Sequence, residues 1–275
     1  MKQVLIKKGN AIVAEVPSPS VGKGDILVQV QASCLSIGTE MSGVQSTAMP
    51  IWKKAINQPS KIKEAIKIAK ETGLNRTWEL IKSKKNVSIP TGYSAVGIVI
   101  EVGEGVNDFL PGDRVACAGA QNAFHAEIIK VPKNLCVLIP QDLDWISASS
   151  VTLGAIALQG VRRANPTLGE TFVVIGLGIL GQLTNQILQA NGCHVIGVDL
   201  DNDRIKLGKK LGMSEGLHPD DVNESQIVAT LTDGLGADGV IITAATPDNS
   251  VVSSAFSMCR KKGRVVLVGD VGLKL

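Results

Sequence analysis

Gly176, Gly178 and Gly181 fall in the run Phe172-Val-Val-Ile-Gly-Leu-Gly-Ile-Leu-Gly181, between an apolar β-type segment and a stretch of helical periodicity. Each glycine answers a different demand: the first permits a tight turn, the second lets the backbone approach a pyrophosphate, and the third lets the helix pack close to the strand. The helix start that follows, at Ile179 and Leu180, offers unpaired N–H groups and a partial positive charge to phosphates. Asp199 closes the next apolar run, Cys193-His-Val-Ile-Gly-Val-Asp199, 18 residues beyond Gly181. A carboxylate there accepts hydrogen bonds from adenosine ribose hydroxyls and repels a 2′-phosphate, so the pattern points to NAD. Arg204, on the following helix, leaves NADP open because it could reach a 2′-phosphate; a solvated charge or an adenine contact are its other readings. Thr243, Ala244 and Ala245 end the fourth strand and Val268-Gly269 the fifth, placing small side chains at the carboxyl edge where a nicotinamide should rest.

The elements that must hold these residues change character along the chain. From Val4 to about Pro140, short β-type runs alternate with glycine and proline: Ile26–Val30, Gly97–Val102, Arg114–Ala116, Ala126–Val131 and Cys136–Ile139. After Trp145, strand and helix alternate: Phe172–Ile175, Leu180–Asn191, Val195–Asp199, Arg204–Leu211, Gly239–Thr243 and Arg264–Val268. That order implies a doubly wound parallel sheet behind an all-β part, with domains at 1–148 and 149–275. A length of 275 residues, 44% of them hydrophobic and 29 of them glycine, accommodates two such domains.

Between about residues 45 and 88 a lysine-rich helical insertion interrupts the β region. Ile62, Ile66 and Ala69, then Leu74, Trp78 and Ile81, recur at helical spacing, with a break near Thr72-Gly73. A solvated basic face, a lid and a subunit contact are its readings. The net charge of +3 is too small to argue for nucleic acid. Five scattered cysteines without a C-x-x-C pair argue against a disulfide framework or a cysteine zinc knot and for reduced thiols. No stretch reaches the roughly 20 apolar residues of a membrane span, and lysines interrupt Met1–Lys8 where a signal peptide needs an apolar run. The expectation is a cytoplasmic protein that binds neither membrane nor nucleic acid.

Phrases across most of the chain carry a resemblance: Gly38-Thr39-Glu40, Gly97-Ile-Val-Ile-Glu-Val-Gly-Glu-Gly-Val106, Pro111-Gly-Asp-Arg-Val115, Ala126-Glu127, and the glycine run at 176–181. The chain resembles the medium-chain dehydrogenase/reductase superfamily of zinc alcohol, threonine and polyol dehydrogenases. The resemblance implies a GroES-like β domain carrying the substrate site, followed by a Rossmann domain for NAD(P). A closer likeness is to the dehydrogenase module of bacterial two-part oxidoreductases, whose second half is of the Gfo/Idh/MocA type. It rests on Ser36-Ile-Gly-Thr-Glu-Met-Ser-Gly43, the lysine-rich insertion, Ala116-Cys-Ala-Gly-Ala-Gln121 and Val151–Arg163. It implies a small polar, sugar-type substrate and a fused or associated oxidoreductase of that type. Members of the superfamily commonly form homodimers. Complete members also continue past the fifth strand, so the chain reads as truncated at its C-terminus.

The departures bear on chemistry. The resemblance puts Ile37 where zinc members carry a cysteine, Tyr93-Ser94 where they carry His-Glu, and Thr152 near a further ligand position. Isoleucine cannot coordinate a cation, and neutral hydroxyls are poor zinc ligands beside thiolate and imidazole. The implied protein is a zinc-free member with no metal site. A protein group must then stabilise or protonate the developing oxyanion during hydride transfer. Tyr93, Thr39 and His125 are the catalytic candidates, Thr152 a nicotinamide contact, and Glu40 an orienting carboxylate expected to pair with an arginine. Tyr93 and His125 also read as packing residues. The alternative to an enzyme is a dinucleotide-binding module serving as scaffold or sensor for a partner oxidoreductase.

Overall fold

The protein is described from a computed structural model that defines residues 1–38, 40 and 88–272. Thr39 and nearly all of the expected helical insertion lie outside the described residues. The chain divides into two compact units, Met1–Ser150 and Val151–Leu275.

The first unit is built on antiparallel strands. β1 (Lys2–Lys7) and β2 (Asn10–Glu15) form a hairpin, and β4 (Ile89–Pro90) pairs with the other side of β1. Lys8 and Gly9 turn the hairpin with φ of 51° and 82°, the positive values that match strand twist in a two-residue loop. A second sheet has the order β7-β3-β5-β6-β8, from β3 (Asp25–Ser33), β5 (Ser94–Val102), β6 (Arg114–Ala118), β7 (Ile128–Pro132) and β8 (Cys136–Leu138). Ile26, Val28, Val99, Val115, Ile129 and Val131 point to one core, as the two-residue side-chain period requires. Arg114 fastens the exit from this sheet: its guanidinium donates to the carbonyls of Pro140, Gln141 and Leu143 and lies 4.0 Å over the Trp145 ring. Helix α1 (Trp145–Ser149) starts there, with the Asp144 carboxylate accepting from Ser147 N at 2.9 Å.

The second unit alternates α2 (Val151–Ala164), β9 (Thr171–Ile175), α3 (Ile179–Ala190), β10 (His194–Val198), α4 (Asn202–Lys210), β11 (Glu215–Leu217), α5 (Glu224–Leu231), β12 (Ala237–Ile242), α6 (Ser250–Met258) and β13 (Cys259–Leu267). The sheet is parallel throughout, in the order β11-β10-β9-β12-β13. Phe172 and Val174 pack on the α2, α3 and α4 side, while Val173 and Ile175 pack on the α5 and α6 side. Both faces of β9 are therefore covered, which explains an unbroken apolar run rather than an alternating one. At the opposite end of the strands from the glycine turn, Asp238 accepts from Thr171 N at 2.8 Å and from Arg260 Nε at 2.6 Å. Arg264 joins this end by pairing with Glu170 and donating to Asn165 O.

The fifth strand begins at Cys259, not at Arg264 as expected. A register shift between Ala237 and Gly239 inserts the polar Arg260–Gly263 stretch as a bulge, with Lys262 at φ 62°. No helix among the described residues is long and apolar enough to cross a membrane.

Candidate functional site

β9 delivers the chain into the glycine turn at the point where the sheet order reverses, since β10 follows on one side and β12 lies on the other. Ligands of open α/β sheets bind at such switch points. Gly176 holds φ 91°, and a side chain there would meet the backbone of Ala244 at 2.7 Å. At Gly181 a Cβ would lie 1.9 Å from Gly176 O, so only hydrogen permits this approach of helix to turn. Gly178 differs from both. A Cβ on it would meet no atom within 4 Å, so this backbone faces open space. Gly178 caps the start of α3, and Ile179 and Leu180 form its first turn. The free N–H groups and positive end of the dipole thus border the open side of Gly178, the setting a pyrophosphate requires.

Asp199 is buried at the end of β10. Its Oδ2 accepts from Leu177 N at 2.6 Å and its Oδ1 from Asp201 N at 2.8 Å. The carboxylate therefore fastens the glycine turn itself, and each oxygen keeps a second lone pair for a ligand hydroxyl. The Arg204 guanidinium, half-exposed, lies 3.7 Å from Asp199 Oδ1 and 3.5 Å from Asp201 Oδ2.

The rim opposite is made by the ends of β12 and β13. Thr243 Oγ1 donates to the carbonyls of Ile175 and Gly176, at 3.1 and 2.5 Å, and Ala244 N donates to Ile175 O at 3.0 Å. Val268 and Gly269 N–H groups share Ile242 O, both at 2.9 Å, and a side chain at Gly269 would run into Ala244 O. Ala245 completes this segment. Thr152, in the first turn of α2, and Val268 line one 440 Å³ groove with Ile156 and Gly160. His194 and His218 take no part; His218 Nε2 is spent on Leu200 O at 3.0 Å.

The first unit holds a separate buried polar cluster around His125. Its Nδ1 lies 2.7 Å from Ser33 Oγ and its Nε2 3.0 Å from Glu40 Oε2. Thr91 Oγ1 donates to the same Glu40 oxygen at 3.0 Å, and Ser36 N donates to Oε1 at 3.0 Å. Among the described residues, Glu40 thus pairs with an imidazole and a hydroxyl. The physical reason is proximity: Thr91 O accepts from His125 N at 2.9 Å, which holds the histidine backbone beside the strand entry where Glu40 points. An ionised carboxylate only accepts, so Nε2 carries the proton; the neutral ring then accepts the Ser33 hydroxyl at Nδ1, and the protonated ring donates to it. Gly92, at φ 103°, leaves room for this ring, since a Cβ there would sit 2.6 Å from His125 N and 3.0 Å from ring carbons.

Tyr93 is half-buried in the bend before β5, its carbonyl accepting from Gly119 N at 3.0 Å. Ser94 is buried, its hydroxyl committed to Ser149 O at 2.6 Å. Ser33, Thr91 and Gly92 were not legible as site residues, because a serine ending a strand and a Thr-Gly turn are ordinary in β proteins. Burial and the neighbouring Glu40 charge push the Cys34 thiol pKa up.

Comparison with known proteins agrees with both halves. Residues 65–141 match the alcohol dehydrogenase GroES-like domain, and residues 180–274 match the zinc-binding dehydrogenase family. An alcohol dehydrogenase of Geobacillus stearothermophilus is 27% identical over 94% of this chain and 73% of its own length. D-guloside 3-dehydrogenase of Shigella flexneri is 33% identical over 57% of this chain and 45% of its own. Among solved structures, galactitol-1-phosphate dehydrogenase of Escherichia coli matches the whole chain and 77% of its own, at 20% identity and a TM-score of 0.78. The first unit is accordingly a GroES-like domain and the second a Rossmann-like sheet. With a nucleotide-type glycine turn in one unit and two family matches along its length, the chain belongs to the zinc-type alcohol dehydrogenase, or medium-chain dehydrogenase/reductase, superfamily and is a dehydrogenase/reductase of it.

Proposed function

We propose that this protein transfers hydride between NAD and a secondary alcohol or carbonyl of a sugar-type substrate, without zinc. The observation that carries the cofactor assignment is the glycine turn: Gly178 opens onto free space at the start of α3 while Asp199 is pinned beside it. These residues fit a bound dinucleotide, with the α3 N-terminus for the pyrophosphate, Asp199 for the ribose diol, and 243–245 with 268–269 for the nicotinamide end. The cofactor supplies the hydride acceptor; the chain supplies orientation and proton handling. Asp199 favours NAD. Arg204 gives NADP a measurable second place, because swinging off the two aspartates would free its guanidinium for a 2′-phosphate.

The described donor set does not suit zinc. Ile37 is exposed and has no donor atom, and the Ser94 hydroxyl is committed to a carbonyl. The Cys34 thiol is pushed away from the thiolate that a metal needs. Among the described residues no three His, Cys, Asp or Glu side chains converge as a metal-binding group. Proton handling then falls to Tyr93, Thr39 or the His125 cluster. His125 acts through the Ser33 hydroxyl, since both its nitrogens are engaged. The sugar-type substrate is supported by the name of the Shigella flexneri relative, a guloside dehydrogenase. A Gfo/Idh/MocA-type partner, a homodimer and a cytoplasmic location belong to the same reading and rest on resemblance.

Parallel calorimetric titration with NADH and NADPH tests the cofactor assignment, with NADH expected to bind more tightly. Oxidation of glycosides and polyols is then followed by NADH formation, before and after dialysis against a chelator, with zinc measured by elemental analysis. Turnover that survives with negligible zinc supports the reading; stoichiometric zinc whose removal stops turnover overturns the metal-free part. Failure of both dinucleotides to bind would overturn the cofactor assignment, whereas binding without turnover of any substrate would favour the scaffold or sensor role.

A further inference from the structure

We propose that Cys117 and Cys136 are a site of oxidative modification, closing a cross-strand disulfide that staples the segment carrying His125. Cys117 lies on β6, Cys136 opens β8, and the register sets them directly opposite each other. Antiparallel pairs alternate between hydrogen-bonded and non-hydrogen-bonded positions. Ile139 N donates to Arg114 O at 3.0 Å, which marks that pair as bonded; three steps along the same ladder, Cys117 and Cys136 fall on a non-bonded pair. An independent contact agrees, since the Cys136 N–H donates to Lys133 O rather than across the ladder. Non-bonded pairs bring their Cα atoms to about 4.5 Å, inside the range of about 4.4–6.8 Å that a disulfide spans. The sulfurs already face each other, with Cys136 Sγ 3.8 Å from Cys117 Sγ. Cys136 Sγ also lies 3.6 Å from Pro132 O, while the other three cysteines contact backbone carbonyls: Cys34 that of Leu35, Cys193 that of Thr167 and Cys259 that of Arg264.

The two thiols have different access. Cys136 is half-buried on the edge strand, whereas Cys117 is buried and its pKa is pushed far up by pairing of its thiol with Cys136 and by burial. An oxidant of the disulfide class, such as oxidised glutathione, therefore meets Cys136 first. The Cys136 thiolate attacks one glutathione sulfur and releases the first glutathione thiol. The Cys117 sulfur then displaces the second glutathione from the mixed disulfide. Each cysteine proton ends on a glutathione, and two electrons pass from the cysteine pair to the oxidant. The closed loop spans residues 118–135 and contains both His125 and β7.

The test is native incubation of the full chain with oxidised glutathione, alkylation of remaining thiols, and peptide mapping. A linked Cys117–Cys136 peptide is expected, with the intact mass lower by two hydrogens. A melting temperature raised by roughly 5–10 °C is also expected, reversed by dithiothreitol. Cys136→Ser, a half-buried thiol-to-hydroxyl change, should melt like the reduced protein and lose both responses. A glutathione adduct that persists on Cys136, or a pair that stays reduced while the other cysteines react, would overturn the proposal.

Discussion

Glu40 is held by three donors, from Thr91, Ser36 and His125, and is nearly buried with its histidine. Replacing it by glutamine keeps the volume but gives one terminus donors where acceptors are needed. Glu40→Gln should cost about 1–3 kcal/mol of stability, read from urea unfolding at neutral pH. An unchanged midpoint would mean the cluster is solvated. Gly92→Ala strikes the same place from the other side: its new methyl would press on His125 N and the ring, and its positive φ adds backbone strain. The expected signature is a displaced His125 imidazole resonance and a loss of turnover larger than the loss of stability. At this scale the sequence was only partly legible. His125 could be picked out as a lone histidine before Ala126-Glu127, but its partners Ser33, Glu40 and Thr91 are far apart in sequence and converge only in the folded chain.

The turn from β9 to α3 was readable from sequence because its function needs particular backbone space, and only glycine provides it. Gly181→Ala would drive a methyl to 1.9 Å from Gly176 O, which a packed strand and helix cannot yield cheaply. Overpacking of this kind costs typically about 1–3 kcal/mol, and dinucleotide affinity should fall at least tenfold in a calorimetric titration. Retained affinity would show that the helix can shift. Asp199 calls for a gentler change, since its carboxylate also anchors Leu177 N. Asp199→Asn retains one acceptor and should raise the NADH:NADPH dissociation-constant ratio, whereas alanine would loosen the turn as well. Elements built on local signals were read closely, as with β9, α3, β10 and α4. The start of β13 was not, because Arg260-Lys261-Lys262 resembles a solvated loop and only pairing with β12 through a bulge makes it strand. Helix α2 is not legible as an element either, because Gly154 and Gly160 interrupt its helical pattern.

Across the whole molecule, apolar residues gather into separate cores: one drawn from residues 26–136 and two from residues 161–271 on the faces of the parallel sheet. The shift from strand-period to helix-and-strand patterning near Trp145 is the same division written in sequence, which is why the fold class was legible from composition and spacing alone. Calorimetry should resolve two unfolding transitions, and NADH at one hundred times its dissociation constant should stabilise the cofactor-binding one by about 2.7 kcal/mol. The acid side should be governed partly by Asp238. Burial pushes its carboxyl up, but the Thr171 N–H and the Arg260 and Arg264 guanidiniums outweigh this and hold its pKa below the usual value. A carboxyl lowered on folding stabilises fully above its unfolded pKa, about 3.9, and loses that contribution as pH falls through the folded value. Asp238→Asn should therefore lower the melting temperature at pH 7 more than at pH 2. Equal losses at both would assign the effect to packing.

The hairpin at the start of the chain reaches further than its exposed strand β2 suggests. Val4 N donates to His125 O at 2.8 Å, Glu127 accepts from Lys2 N at 2.8 Å, and Gln3 bridges Ala126. The first few residues are thus the backrest against which the histidine segment leans. An affinity tag that peels β1 away, or a protease that trims it, would remove the backbone partner of His125 O and loosen this segment while the parallel sheet of the second unit stays folded.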